Sequence, residues 1–169
     1  MTFTLVQNVH RVSKPAAKYF KAVMIVFTVL FLLMGIFFSQ GFMLPCFLMA
    51  GLYFLYDYFS KRDYRYTLDD GTFTIDMIHG ERTQTTVHVL DLTNLIVVAP
   101  HDSEAVDRYR KGGPEGHLPK YDYTSYDNDI PYYTMIITEN GKKEKFLLDL
   151  SDAMLDALFR KAPSKVVRR

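Results

Sequence analysis

Five histidines, one cysteine and one tyrosine–aspartate cluster are the residues of this chain that chemistry would call on. His10, His79, His88, His101 and His117 are scattered. No two stand at the spacing that lets imidazoles share a metal from one helix face, and no HExxH occurs. His88 lies in a strand-like stretch and reads as an ordinary half-buried residue. His101-Asp102-Ser103 holds the residue types of a hydrolytic triad, but consecutive side chains cannot aim at one another as nucleophile, base and orienting acid must. Gly112-Gly113-Pro114 lacks the Lys-Ser/Thr of a phosphate loop, and its proline removes a backbone donor. Cys46 stands alone, which excludes an intrachain disulfide and a thiolate cluster. Catalysis needs these groups in mutual reach. The expectation is a chain with no catalytic residue, no cofactor and no metal.

The most unusual composition is Tyr121–Tyr133, YDYTSYDNDIPYY, with five tyrosines and three aspartates. Tyrosines at a sheet edge offer large contact area for little lost entropy. Tyr121, Tyr123 and Tyr126 are therefore candidate anchors. Asp127 and Asp129 form an acidic turn suited to a basic partner or a weakly held divalent cation. Arg108, Arg110 and Lys111 make the opposite pole, placed to meet anionic headgroups or to pair with that acidic turn. These eight residues are the candidate interaction surface. Against them stand the plainer readings of a core-facing tyrosine strand, a solvated turn and a solvated loop.

Something must position them, and the strongest signal is two charge-free apolar runs, Ala22–Phe38 and Phe42–Tyr56, joined by Ser39-Gln40-Gly41. Seventeen apolar residues at about 1.5 Å each nearly cross a hydrocarbon core of about 30 Å. Residues 19–59 thus read as a two-helix transmembrane hairpin that meets the bilayer through Ala22–Phe59. A re-entrant hairpin is the rival. Lys14, Lys18 and Lys21 precede it and Lys61, Arg62 and Arg65 follow it, so the positive-inside rule puts both termini in the cytoplasm of a cell-membrane protein. Pro45 sits early in the second helix, where its missing N–H costs little. Gly35 and Gly51 are places for close helix approach. Asp57 is expected at headgroup depth beside Lys61 and Arg62.

Residues 1–18 form a cytoplasmic lead-in without a cleavage site. The spacing of Phe3 and Leu5 fits a strand, that of Leu5, Val9 and Val12 a helix, and both stay open. The net charge of the whole chain is +1, but 16 basic and 18 acidic residues lie from Ser60 onward. A near-neutral domain lacks the basic stripe that nucleic acid requires.

From Asp63 the apolar period becomes two. Tyr64, Tyr66 and Leu68 alternate with polar residues, Asp70-Gly71 turns, and Phe73, Ile75 and Met77 follow. His79-Gly80 turns again. Arg82–Leu90 is a third strand, apolar at Val87 and Val89, and Leu95–Ala99 a fourth. His101–Pro119 reads as a mobile polar loop, and Tyr121–Tyr126 as a fifth strand after it. Asp127-Asn128-Asp129 turns before the strand Tyr132–Thr138, and Asn140-Gly141 is a type I′ hairpin leading to Lys143–Leu150. A helix capped by Asp149 or Ser151 then buries Met154, Leu155, Leu158 and Phe159, and Pro163 stops it. Residues 164–169 form a basic tail.

About seven antiparallel strands closed by one helix, over residues 60–163, resemble a pleckstrin-homology-like (PH-like) barrel with Phe73, Ile75, Val97, Ile137 and Phe146 on its inner face. The whole layout, and the stretch YRYTLDDGTFTID at Tyr64–Asp76 in particular, resembles small bacterial two-helix membrane proteins with a cytoplasmic PH-like domain, closest to an uncharacterised domain family. The resemblance implies an α+β membrane protein and carries over no functional residue. PH-like domains that bind phosphoinositides use cations near the first hairpin. Here Asp69 and Asp70 stand there, so no such binding is implied. The leading reading is a non-catalytic membrane-tethered interaction module with a protein partner or a second copy of itself. An accessory subunit of a transporter, channel or secretion complex is the alternative, and an enzyme the least favoured.

Overall fold

The structure, a computed structural model, describes residues 4–12, 15–60, 62–79, 83–127 and 129–168. Expectations resting on Phe3, Lys14, Lys61, Gly80, Arg82, Asn128 and Arg169 lie outside the described residues. Two apolar helices, α1 (Pro15–Phe37) and α2 (Met43–Ser60), form an antiparallel pair. Ser39 caps the single 3-10 turn Gln40–Phe42 between them by accepting from Gly41 N–H. Gly35 faces Met43, where a Cβ would stand 3.2 Å from its side chain, whereas Gly51 faces open space. Cys46 packs in the helix interface, within 3.5 Å of the Thr28 carbonyl. Asp57 pairs with Lys21 of the other helix at 2.6 Å. Arg62 donates to the Phe59 carbonyl.

The lead-in is a strand. β1 (Thr4–Val9) pairs antiparallel with β2 (Asp63–Asp69), from Thr4 opposite Asp69 to Val9 opposite Tyr64. The helical hairpin is therefore an insertion between two neighbouring strands of one sheet. β3 (Thr72–His79) and β4 (Thr83–Asp91) complete that sheet in the order β1-β2-β3-β4. β5 (Leu95–Pro100), β6 (Lys120–Asp122), β7 (Tyr133–Glu139) and β8 (Lys142–Leu148) make a second, in the order β5-β7-β8-β6. The domain is thus two four-stranded sheets and not the closed seven-stranded barrel expected. β6 pairs parallel with β8. Both two-residue turns carry left-handed backbone, at Asp70-Gly71 and Asn140-Gly141, as type I′ hairpins require.

The core lies between the sheets. Tyr66, Leu68, Phe73, Ile75, Ile137 and Phe146 are fully or almost fully buried. Each such side chain contributes on the order of 1.5–3 kcal/mol. Two bulges correct the expected faces. An extra residue in β4 places His88 opposite Ile75 but Thr86 opposite Asp76, so His88 and Leu90 turn inward and Val89 is 57% exposed. In β5 the register shifts between Leu95 and Val97, and Val98 takes the core position expected of Val97. α3 (Asp152–Lys161), capped by Ser151, adds Met154, Leu155 and Leu158 to the core. The tail is not free. Val166 is buried, and the backbones of Lys165 and Val167 bracket Val98 at 2.8 and 2.7 Å.

The 101–119 segment, expected to be a polar loop, carries local structure and buried anchors. Its 3-10 turns at Glu104–Tyr109 bury Val106 and Tyr109. Ile136 and Leu147, on the outer face of the second sheet, are buried too. Glycine permits the segment's tight fold: a Cβ at Gly116 would stand 2.1 Å from the Arg110 carbonyl oxygen, and one at Gly113 2.7 Å from that of Arg108.

Tyr66 Oη donates to the buried Tyr123 carbonyl at 2.7 Å, joining the first sheet to the segment after β6. Tyr66→Phe strands that carbonyl, so chemical denaturation of the detergent-solubilised chain is expected to show a loss of about 1–3 kcal/mol. An unchanged midpoint would show that the bond adds nothing.

Candidate functional site

Arg11 holds the segment that follows β6. Its guanidinium lies 3.9 Å from the Tyr126 ring centre and 5.3 Å from that of Tyr64. It donates to Tyr64 Oη at 2.6 Å, to Tyr126 Oη, and to the Asp122 carbonyl at 3.4 Å. Val12 N–H donates to the Ser125 carbonyl at 2.7 Å. Ser125 N–H in turn donates to Asp149 Oδ2 at 2.7 Å. Tyr126 adopts φ 61°, a left-handed backbone unusual for an aromatic residue, and these partners hold it there.

The segment before β6, with β6 and β8, builds a cationic groove of about 720 Å³, lined by Arg110, Lys111, His117, Lys120 and Lys145 together with His101. Lys120 lies opposite Lys145 through the parallel β6–β8 register, and like charges so placed repel. Lys145 is buried and donates to the Tyr109 carbonyl. Burial, then Lys120, lowers its pKa. Arg110 donates to the His101 carbonyl at 3.1 and 2.5 Å and pairs with Asp107 at 2.8 Å. Burial, then Arg110, Lys145 and Lys120, lowers the pKa of the His101 imidazole. Lys111, His117 and Lys120 are exposed. A groove that concentrates cations until they shift one another's protonation is complementary to an anionic group.

The structure does not gather the eight candidate surface residues into one site. Arg110 and Lys111 line the groove. Arg108 sits 3.8 Å from Glu115, which also pairs with Lys143, so the basic loop is not spent on the acidic turn. Tyr121 and Tyr123 stack with Phe146 between the sheets, Tyr123 is buried, and burial pushes its hydroxyl up to about 12. Tyr126 belongs to the Arg11 cluster. Asp127 and Asp129 are exposed in a turn where Asp129 N–H donates to Asp127 Oδ1. Lys120, Lys145 and His101 were not in the expected set. The β6–β8 pairing that joins the two lysines is long-range and parallel, and leaves no local pattern. A second convergence, of His88, Glu139 and Glu144, places one ligand atom from each within 4.8 Å of the others.

Two sheets around one core with a C-terminal helix against them are the architecture of a PH-like domain, here with a helical hairpin set between its first two strands. The chain belongs to the family described as Bacterial PH-like domain (DUF6106), whose model matches residues 6–168 and so takes in β1 and the hairpin as well as the later strands. Neither a curated protein nor a solved structure matches the chain.

The folded pKa of His101 lies below its ordinary value of 6.5. Its contribution to stability is complete above that value and is lost as pH falls towards the folded pKa. Lys120→Ala removes one of the charges responsible. The His101 imidazole resonance, followed by NMR, is then expected to titrate at higher pH than in the parent chain. An unshifted titration would remove the mutual repulsion within the groove.

Proposed function

We propose that this protein is a non-catalytic, membrane-tethered interaction module. The hairpin fixes the PH-like domain at the cytoplasmic face, and the cationic groove receives an acidic segment of a protein partner. The observation that carries the reading is the hairpin's surface. Phe37, Leu44, Phe47 and Phe54 are each more than two-thirds exposed, and among the described residues the other large apolar side chains so exposed, Tyr19 and Phe38, also lie in or beside the hairpin. Helices of 23 and 18 residues, about 34 and 27 Å long, have the reach a bilayer asks of a span. A core helix of a soluble fold would bury these side chains against its own chain. Arg11, Lys18 and Lys21 before the hairpin and Arg62 and Arg65 after it favour the cytoplasm for both ends. The β1–β2 ladder supports the same conclusion, because paired strands must lie on one side of a membrane. Confinement to a surface raises the effective concentration of the groove for anything else held there, so a modest intrinsic affinity suffices.

The test is in-cell photo-crosslinking from His117, at the groove, in membranes washed with alkaline carbonate. The chain is expected to stay in the washed membrane and to yield a discrete protein adduct that Lys111→Glu with Lys120→Glu abolishes. Release by carbonate would refute the tether. An adduct indifferent to charge reversal, or capture of lipid alone, would refute the acidic protein partner.

A further inference from the structure

The inner face of the β7–β8 hairpin ends in acid. Ile137 pairs with Glu144 and Glu139 with Lys142, so Glu139 and Glu144 are diagonal neighbours on the face that carries Ile137 and Phe146 into the core. A core-facing stripe that continues Leu148, Phe146, Glu144 puts a carboxylate where packing alone calls for an apolar side chain. Glu144 Oε2 is buried with no hydrogen-bond partner. Burial, then the Glu139 carboxyl beside it, holds the Glu144 carboxyl above its usual range, with Lys142 opposing. Two carboxylates in contact are stable when a proton or a cation lies between them.

The third member comes from the other sheet. The β4 bulge turns His88 inward, and its Nδ1 lies 3.9 Å from Glu139 Oε2. The ring is fixed edge-on between Tyr121 and Phe146, at centroid distances of 4.6 and 4.9 Å. Neutral imidazole is the form that ligates metal. One imidazole nitrogen and two carboxylates, drawn from three strands and converging within 4.8 Å, make a compact donor set. Imidazole with carboxylate suits Zn²⁺ and the other first-row divalent ions better than Ca²⁺ or Mg²⁺.

We propose that His88, Glu139 and Glu144 form a binding site for a first-row divalent metal ion, which clips the β7–β8 hairpin to β4 across the opening between the two sheets. The site is independent of the groove and of the membrane tether. The ion neutralises the carboxylate pair, satisfies the Glu144 oxygen and ties two sheets that share no hydrogen-bonded strands among the described residues. Its role is structural or regulatory, because stability then follows metal supply.

The experiment uses the full chain, without a histidine tag, in detergent micelles and stripped by chelator. Zn²⁺ is titrated against a chromogenic competitor, and Cu²⁺ serves as a paramagnetic probe of nitrogen ligation. One equivalent is expected to bind with a dissociation constant of about 10 μM or tighter, to raise the melting temperature, and to show coupling to a single imidazole nitrogen. His88→Gln removes the nitrogen signal and weakens binding by at least about tenfold. Glu144→Gln separates a metal site from a folding defect: relieved of repulsion, it melts no lower than the stripped parent, yet it too loses at least about tenfold in affinity. Binding weaker than about 100 μM, or affinity unmoved by both substitutions, overturns the proposal. So does a Glu144→Gln chain that gains stability while the parent gains none from Zn²⁺, since a shared proton then accounts for the pair.

Discussion

Six residue pairs between β1 and β2, from Thr4 with Asp69 to Val9 with Tyr64, are the constraint on which the rest of this molecule depends. They close a loop that contains residues 10–63, and the entropic cost of that closure grows only slowly with length. The hairpin lowers it further by supplying its own order. The antiparallel pairing of α1 and α2 returns the chain to within reach of its start, and Lys21 with Asp57 fastens the two helices at 2.6 Å. Strand pairing and helix pairing therefore support each other, each presenting the ends the other must join. The family model begins at residue 6 and takes in both. β1, hairpin and domain are one unit.

The same junction organises the charged surfaces. Arg11 follows β1 directly and reaches across to Tyr64, Tyr126 and the Asp122 carbonyl, which sets the course of the chain after β6. Gln7 does the like from within β1, donating to the Asp149 carbonyl at 2.7 Å and accepting from Ser151 N–H at 3.0 Å, at the entrance to α3. On the outer face of the first sheet, Asn8, Arg65, Gln84 and Asp76 form a cross-strand polar ladder with Thr86. A charge such as Asp76, buried beneath that ladder, is tolerable because its oxygens are met. The cationic groove is the contrasting case, where like charges are gathered with only partial compensation.

Local pattern carried much of this into view. The period-two runs of β2, β3, β7 and β8 and the Asp70-Gly71 and Asn140-Gly141 turns are near-neighbour chemistry, and their register follows from the turns themselves. The amphipathic α3 and the two apolar helices are equally local. What stayed hidden depends on contacts between distant residues. Leu5 and Val9 fit a strand or a helix until β2 is present to pair with them. Bulges at Val87 and before Val97 leave no mark in composition, yet each reverses which side chains face the core. The 101–119 segment looks polar because its two buried anchors, Val106 and Tyr109, are too few to make a period. Tyr121 and Tyr123 resemble surface anchors in sequence. Only the parallel pairing of β6 with β8 turns them between the sheets and sets Lys120 beside Lys145.

The proposed reading, a PH-like domain whose first strand lies on the near side of a hairpin that spans the membrane twice, makes a sharp demand on topology. The most direct measurement is single-cysteine labelling in a Cys46→Ala background, with a membrane-impermeant maleimide on intact and permeabilised cells. Cysteine at Gln40, in the turn between the helices, is expected to label in intact cells. Cysteines at Asn8 and Glu104 are expected to label together, and only after permeabilisation. Labelling of Asn8 and Glu104 from opposite sides, or of all three from one side, would contradict a β1–β2 ladder closed across a membrane-spanning hairpin.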